Sequence, residues 1–200
     1  YDALGRLTQV SYPSEAPTQY TYDSCTNGKG RLCQITDPSG STQWSYDLHG
    51  RVLSKTQTSG SLTLVTRYSY DSAGQLKTFT TPAGNTVTYS YTQGKVTALD
   101  STRGVIMNAM SYDPFGPLKS WTFGNGQSMQ RNYNPDSQLD TYTRGSASVD
   151  LNYNLTGTVK EQLDPSNSAN NQSYGYDALN RLTHFNSAAP AYSYDPNGNR

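Results

Sequence analysis

The chain opens with Tyr1-Asp2-Ala3-Leu4-Gly5-Arg6-Leu7, and a near copy, Tyr176-Asp177-Ala178-Leu179-Asn180-Arg181-Leu182, stands close to its other end. The same frame recurs as Tyr46-Asp47-Leu48-His49-Gly50-Arg51-Val52 and Tyr70-Asp71-Ser72-Ala73-Gly74-Gln75-Leu76, and again as Tyr112-Asp113-Pro114-Phe115-Gly116-Pro117-Leu118. Looser copies start at Tyr22, Tyr91, Tyr133, Tyr153 and Tyr194. Ten anchor tyrosines therefore follow one another at steps of 18 to 24 residues. A period near 20 sustained along a whole chain marks an array of small supersecondary units.

The residue types inside the frame specify a hairpin. Asp opens a type I turn because its carboxylate accepts backbone N–H groups two or more residues on. Asp2, Asp23, Asp47, Asp71, Asp113, Asp177 and Asp195 hold this place, and Pro114, Pro135 and Pro196 take the following one, where a fixed φ suits. Gly three residues after the Asp lets the chain re-enter the sheet at positive φ, as at Gly5, Gly50, Gly74, Gly116, Gly157 and Gly198. Asn180 is the next best residue there, and Ser137 makes the weakest match. The copies from Tyr91, Tyr133 and Tyr153 lack the Asp, so their turns are the least well specified.

Residues two before each anchor share its face, given a strand period of two. They are Tyr20, Trp44, Tyr68, Tyr89, Met110, Arg131, Leu151, Tyr174 and Tyr192, which reads as a stripe of stacked large side chains with Arg131 as the exception. On the outgoing side the turn's Leu or Val is followed three residues later by another apolar one, as in Leu32 and Ile35, Leu76 and Phe79, or Leu182 and Phe185. A step of three changes face on a regular strand, so either a bulge intervenes or the sheet carries apolar cover on both faces.

Composition sets further bounds. Only 33% of the 200 residues are hydrophobic, Tyr alone numbers 17, and 15 basic residues balance 15 acidic ones. Zero net charge argues against binding nucleic acid through phosphate neutralisation and against a polybasic membrane anchor. No apolar run is long enough to span a bilayer, and no signal peptide opens the chain. Both ends fall inside frames, as expected of a piece cut from a longer array. We expect residues 1–200 to form one array of about ten repeats, each a strand, a frame turn, a second strand and a return turn. Ten hairpins predict about 20 strands and a sheet roughly 95 Å wide, which would twist and curl into a curved wall. The polar stretch from Asp164 to Gln172 is the expected disordered loop. Cys25 lies within an enlarged frame turn, Asp23 to Gly30, and Cys33 in the strand that follows it. They form either a disulfide stapling that turn in an exported protein or two free thiols.

The frame Y-D-x-x-G-R-L, as in Tyr1 to Leu7 and Tyr46 to Val52, resembles the YD repeat of Rhs proteins, of the cocoon-forming subunits of bacterial Tc toxin complexes, and of teneurins. The resemblance covers essentially the whole chain and rests on ten tandem copies. It implies an all-β fold in which antiparallel hairpins form a curved, spiralling sheet, a section of a hollow shell. It further implies a non-catalytic segment whose shell encloses a C-terminal toxin domain until delivery by a type VI secretion system or a toxin complex. Partners would be the rest of that shell, the enclosed toxin and the delivery machinery, and the protein would be made in the cytoplasm and then exported to act as a secreted or cell-surface molecule. The family's core signature is matched only in its last four letters by Asp37-Pro38-Ser39-Gly40, which sits in an ordinary return turn. The alternative is an extracellular adhesion or carbohydrate-binding module using the aromatic surface.

Chemistry has little to stand on here. His49 and His184 are isolated in the sequence, and no zinc cluster, nucleophile elbow or phosphate loop is present, so we expect no enzyme, no cofactor and no metal. The frame aspartates could be read as a calcium ladder, but each is explained by its own turn. Arg6, Arg31, Arg51 and Arg181 follow the turn and are placed to pair with Asp of their own or the next frame. Sugar stacking on the aromatic stripe competes with stacking of the stripe on itself, which we favour. Asn154-Leu155-Thr156 and Asn171-Gln172-Ser173 match the glycosylation triplet, which matters only in a eukaryotic secreted protein.

Overall fold

A residue that caps its own turn fixes where the chain reverses, and in the computed structural model the frames do so repeatedly. The structure describes residues 1–114, 116–187 and 189–200; Phe115 of the Tyr112 frame and Ala188 lie outside them. At the first frame Gly5 N–H donates to the Asp2 carbonyl at 3.0 Å and Asp2 N–H donates to the Arg6 carbonyl at 2.9 Å. The same two bonds close the turns at Asp47, Asp71, Asp113, Asn134, Asn154, Asp177 and Asp195. The third residue after the opener takes positive φ in most of these frames, for example +73° at Gly5, +57° at Asn180 and +62° at Ser137.

Two compact units divide the chain, Tyr1–Ile106 and Met107–Arg200. The first holds β1 (Gln9–Val10), β2 (Thr18–Tyr22), β3 (Leu32–Asp37), β4 (Gly40–Tyr46), β5 (Val52–Ser59), β6 (Leu62–Tyr70), β7 (Leu76–Thr80), β8 (Thr86–Thr92) and β9 (Lys95–Ser101). Each pairs antiparallel with its chain neighbour. The second unit begins within β10 (Gly104–Tyr112) and continues through β11 (Leu118–Phe123), β12 (Ser128–Tyr133), β13 (Leu139–Arg144), β14 (Ala147–Tyr153), β15 (Val159–Leu163), β16 (Gln172–Tyr176) and β17 (Leu182–Phe185). It is again an antiparallel meander. Among the described residues the only helix is a single 3-10 turn, Ser168–Asn170.

The expectation of about 20 strands is corrected to seventeen among the described residues. The first frame supplies only its outgoing strand and the tenth supplies none, because the chain around Tyr192 and Tyr194 is not extended into a ladder. A second correction concerns the copies without Asp. Asn134 and Asn154 both close the standard turn, and at Asn134 the amide oxygen accepts the N–H groups of Asp136 and Gln138 as a carboxylate would. The Tyr91 copy uses another solution, a two-residue turn of Gln93 at φ +51° and Gly94 at φ +78°. The third correction falls on Asp164 to Gln172. Its chain folds around one carboxylate, with Asp164 accepting Ser166 N–H at 2.9 Å, Asn167 N–H at 3.0 Å and the Asn170 amide at 2.7 Å.

The step of three on outgoing strands is a bulge. Tyr20 pairs with Ile35 and Tyr22 with Leu32, so Cys33 is the extra residue that returns Leu32 and Ile35 to one face. The register slips at the same place in seven further hairpins, from Tyr46 with Val52 to Tyr176 with Leu182. The bulged register sets the stripe opposite the outgoing apolar residues. Tyr68 meets Phe79 and Tyr174 meets Phe185, both with ring centres 5.6 Å apart. Arg131 fits the stripe because its guanidinium lies over the Trp121 ring at 4.9 Å. Between stripe positions, side chains of the other face bond across the ladder, such as Ser45 to Ser54 at 2.7 Å and Asn132 to Thr141 at 2.8 Å. Among the described residues the only buried hydrophobic side chains are Cys33 and Trp121. Each strand thus depends on its neighbours in the sheet rather than on a deep core.

Candidate functional site

The recurring residues of the frames lie along the frame-turn edge, where repeats contact their neighbours. The grip begins inside one frame. Asp47 Oδ1 accepts the N–H groups of His49 and Arg51, both at 2.9 Å, and its Oδ2 accepts Arg51 Nε at 2.6 Å. Asp2 with Arg6 and Asp177 with Arg181 repeat this arrangement. Frames that lose the Asp change both partners. Asn134 Nδ2 donates to Gln138 Oε1 at 3.1 Å, and Asn154 Nδ2 donates to the Thr158 hydroxyl at 2.9 Å.

Held by its own Asp, the Arg is aimed at the following repeat. Arg6 lies over the Tyr22 ring and Arg51 over the Tyr70 ring, each 4.4 Å from the centre, and Arg181 lies over Tyr194 at 4.6 Å. Arg6 also reaches Asp23 of the next frame at 2.6 Å. Arg31 donates to the Gly50 carbonyl at 3.2 Å, and Gln75 donates to the Gly94 carbonyl at 3.3 Å. Gly50 therefore has two duties: its φ is +78°, and the Arg31 guanidinium fills the space a Cβ would need.

The third contact runs backward. Tyr46 Oη donates to the Leu32 carbonyl of the preceding repeat at 2.6 Å, and Tyr70 Oη donates to Val52 at 3.0 Å. Tyr91, Tyr133, Tyr153, Tyr176 and Tyr194 donate in the same way to Leu76, Leu118, Leu139, Val159 and Leu182. Each acceptor is the first residue of a strand, beside the bulge.

Local electrostatics follow these bonds. The Arg6 backbone N–H holds the Asp2 carboxyl below the ordinary carboxylate range, and the Arg6 side chain does the same for Asp23. Desolvation opposes this at Asp47, but the Arg51 backbone and side-chain bonds win and its carboxyl is lowered. Asp164 is lowered to about 2, first by the Ser166 hydroxyl and then by the Asn170 amide. Burial pushes the Tyr46, Tyr70, Tyr91, Tyr153 and Tyr176 hydroxyls up, which favours the protonated donor.

No catalytic constellation is built by these residues. His49 is exposed in its frame turn, and His184 shares a 2.7 Å hydrogen bond with the Thr183 hydroxyl. Among the described residues no group of three or more His, Cys, Asp or Glu is placed to hold a metal ion, and no helix is long and apolar enough to cross a membrane. Asp37-Pro38-Ser39-Gly40 forms the tight turn between β3 and β4. Cys25 and Cys33 form a disulfide across the enlarged second turn. Sequence reasoning placed the tyrosines in a packing stripe and missed their hydroxyls. The available signal was the choice of Tyr over Phe at every anchor, which asks for a polar partner.

The RHS Repeat family matches residues 1–42, 27–62, 46–78 and 70–106, together just over half of the chain. The chain belongs to that family. Among solved structures, TcdB2-TccC3, and TcdB2-TccC3 without its hypervariable C-terminal region, are similar at a TM-score of 0.77 and 19% identity over 89% of this chain. A Photorhabdus luminescens Tc holotoxin pore is similar at a TM-score of 0.74 and 19% identity over 88% of it. The chain spans 11% of the length of each of those chains. No curated protein matches it. At such identity the likeness shows the shared all-β repeat fold. The RHS match ends at residue 106, yet the same Tyr-to-carbonyl bonds and turn closures recur through Tyr133, Tyr153 and Tyr176.

Proposed function

We propose that this RHS repeat segment is a non-catalytic stretch of shell wall whose parent encloses a C-terminal toxin domain until delivery. The observation that carries the reading is the repeated contact of Arg and Tyr between successive frames, with each Arg held by its own frame's Asp at Asp2, Asp47 and Asp177, so that the conspicuous polar residues hold turns and neighbours together. The reading takes residues 1–200 as one array of about ten repeats, since both units use the same grip. Support for an enclosed cargo comes from the relatives, one of which is described by a hypervariable C-terminal region that can be removed. Partners would be the rest of the shell, that cargo and toxin-complex components, in a protein made in the cytoplasm and exported.

The glycan-binding alternative has less support. Stripe rings such as Tyr68 and Phe79 meet each other at 46°, so they are engaged with one another instead of lying open as flat platforms. The test is limited proteolysis of the parent protein with its C-terminal domain attached. The expected result is a C-terminal domain that survives protease concentrations that digest the same domain expressed alone. Digestion at equal rates, with the wall intact, would overturn enclosure.

A further inference from the structure

The second frame departs from the others by an inserted turn that carries Cys25, and the chain's other cysteine, Cys33, stands just beyond it in β3. Asp23 N–H still donates to the Arg31 carbonyl at 3.1 Å, so the hairpin closes as usual while residues 24–30 loop outward. Two contacts tie this loop to the third frame. Asn27 Nδ2 donates to the Tyr46 carbonyl at 3.0 Å, and Arg31 reaches Gly50 and lies 5.8 Å from the centre of the Tyr46 ring. Cys33 is the buried bulge residue and Cys25 is half-buried in the loop. Gly28 has no room for a Cβ because both sulfurs stand where it would go. The disulfide is therefore the packing centre of the loop that touches the next repeat.

We propose that Cys25–Cys33 is a site of thiol–disulfide exchange, with Cys25 the sulfur attacked and Cys33 the leaving group, and that reduction loosens the grip of the second repeat on the third. The inference rests on the shell reading only for its consequence, a wall that weakens at one turn when it enters a reducing compartment. Geometry sets the direction. Cys25 is the more accessible of the two residues, and Cys33 Sγ already accepts the Cys25 backbone N–H at 3.0 Å, a bond that strengthens as negative charge develops on it. The reductant is a small cellular thiol of the glutathione class. Its thiolate attacks Cys25 Sγ, the Cys25–Cys33 bond breaks, and Cys33 departs as a thiolate that takes up a proton. A second thiolate then attacks the external sulfur of the mixed disulfide, which frees Cys25 to be protonated. Two electrons have passed to the protein, and the two small thiols leave as their own disulfide. Without its staple, the inserted loop holds Asn27 on Tyr46 only through its short-range hydrogen bonds, Gly28 N–H to the Cys25 carbonyl at 2.9 Å, Arg31 N–H to the Gly28 carbonyl at 2.8 Å and Gly30 N–H to Asp23 at 2.6 Å among them.

The test uses the oxidised chain treated with reduced glutathione, acid-quenched at intervals and mapped by mass spectrometry. The expected adduct sits on Cys25 with Cys33 free. An adduct on Cys33, or two free thiols in the protein before treatment, overturns the assignment. Limited proteolysis before and after full reduction, with both thiols then alkylated, reads the structural claim. Cleavage within residues 24–30 should rise about tenfold or more while the β-sheet signal persists. The Cys25→Ser/Cys33→Ser double variant should cleave at the reduced protein's rate and ignore the reductant. Equal cleavage of the oxidised and reduced forms would refute the loosening. These measurements read the second turn alone, so their failure would leave the shell reading standing, and enclosure of a cargo could fail without touching them.

Discussion

At the residue scale the anchor tyrosine joins three contacts in one side chain. Tyr70 packs in the stripe, carries the Arg51 guanidinium on its ring and donates its hydroxyl to Val52. These can be separated by substitution. Tyr70→Phe keeps the ring and removes one hydrogen bond, so it should lower stability by about 1 kcal/mol. Tyr70→Ala also removes the ring and should cost about 3 kcal/mol. Denaturant midpoints of the two variants check this, and equal midpoints for parent and Tyr70→Ala would sink the stripe. The pH response follows from the same side chains and their aspartates. Asp2, Asp23, Asp47 and Asp177 are lowered in the folded chain, so their contribution is complete above the free carboxylate value of about 3.9 and is lost as pH falls through the lowered values. The hydroxyls of Tyr46, Tyr70, Tyr91, Tyr153 and Tyr176 are raised. Their contribution is complete below about 10 and is lost as pH rises through the raised values. Melting temperature should therefore hold level between these limits and fall on both sides, with tyrosinate absorbance rising together with alkaline unfolding.

At the element scale the unit is a hairpin whose turn, bulge and neighbour contact must agree. Glycine at the end of the frame tests the agreement, because not all frame glycines carry the same burden. Gly5 has φ +73° with open space around it, whereas Gly50 has φ +78° with the Arg31 guanidinium across it. Gly5→Ala should cost about 1 kcal/mol for the backbone conformation alone. Gly50→Ala must in addition displace Arg31 and should cost about 2 kcal/mol or more, by thermal melts of the two variants. Similar losses would mean that Arg31 yields freely. The turn was legible in the sequence because Asp, Gly and their spacing act locally. The bulge was half legible: Leu32 and Ile35 showed that something interrupts the alternation, and only the pairing of Tyr22 with Leu32 reveals that Cys33 is the extra residue. Asn134 and Asn154 were visible but were passed over as missing aspartates. Asn134 Oδ1 accepts the N–H groups of Asp136 and Gln138, which shows that this turn needs an acceptor oxygen and does not need a charge. The hydroxyl-to-carbonyl bonds were not legible, since each joins residues 12 to 18 apart through a register that only folding sets.

At the scale of the whole molecule, the scarcity of buried side chains decides how stability is distributed. With 33% hydrophobic residues, and Cys33 and Trp121 the only buried hydrophobic side chains among those described, neither unit has a deep core for its strands to share. Each unit is held by contacts between successive strands, so its stability is close to a sum of neighbour terms, as in other repeat proteins. In the first unit β5 is flanked by long strands on both sides, with six registered residue pairs to each, whereas β1 has two registered pairs to β2. Opening at β1 breaks little, while exposing β5 requires one of its neighbours to detach first. Amide hydrogen exchange under native conditions should accordingly show a gradient in the first unit, weakest at Gln9 and Val10 and strongest in β4 to β6. A difference of about a hundredfold or more in protection is expected, as for sub-global opening in other proteins. Adding enough denaturant to reach global unfolding should merge the classes. Uniform protection from β1 through β9 would mean that the unit opens only as a whole, and the picture of independent neighbour grips would have to give way to one of a single cooperative sheet.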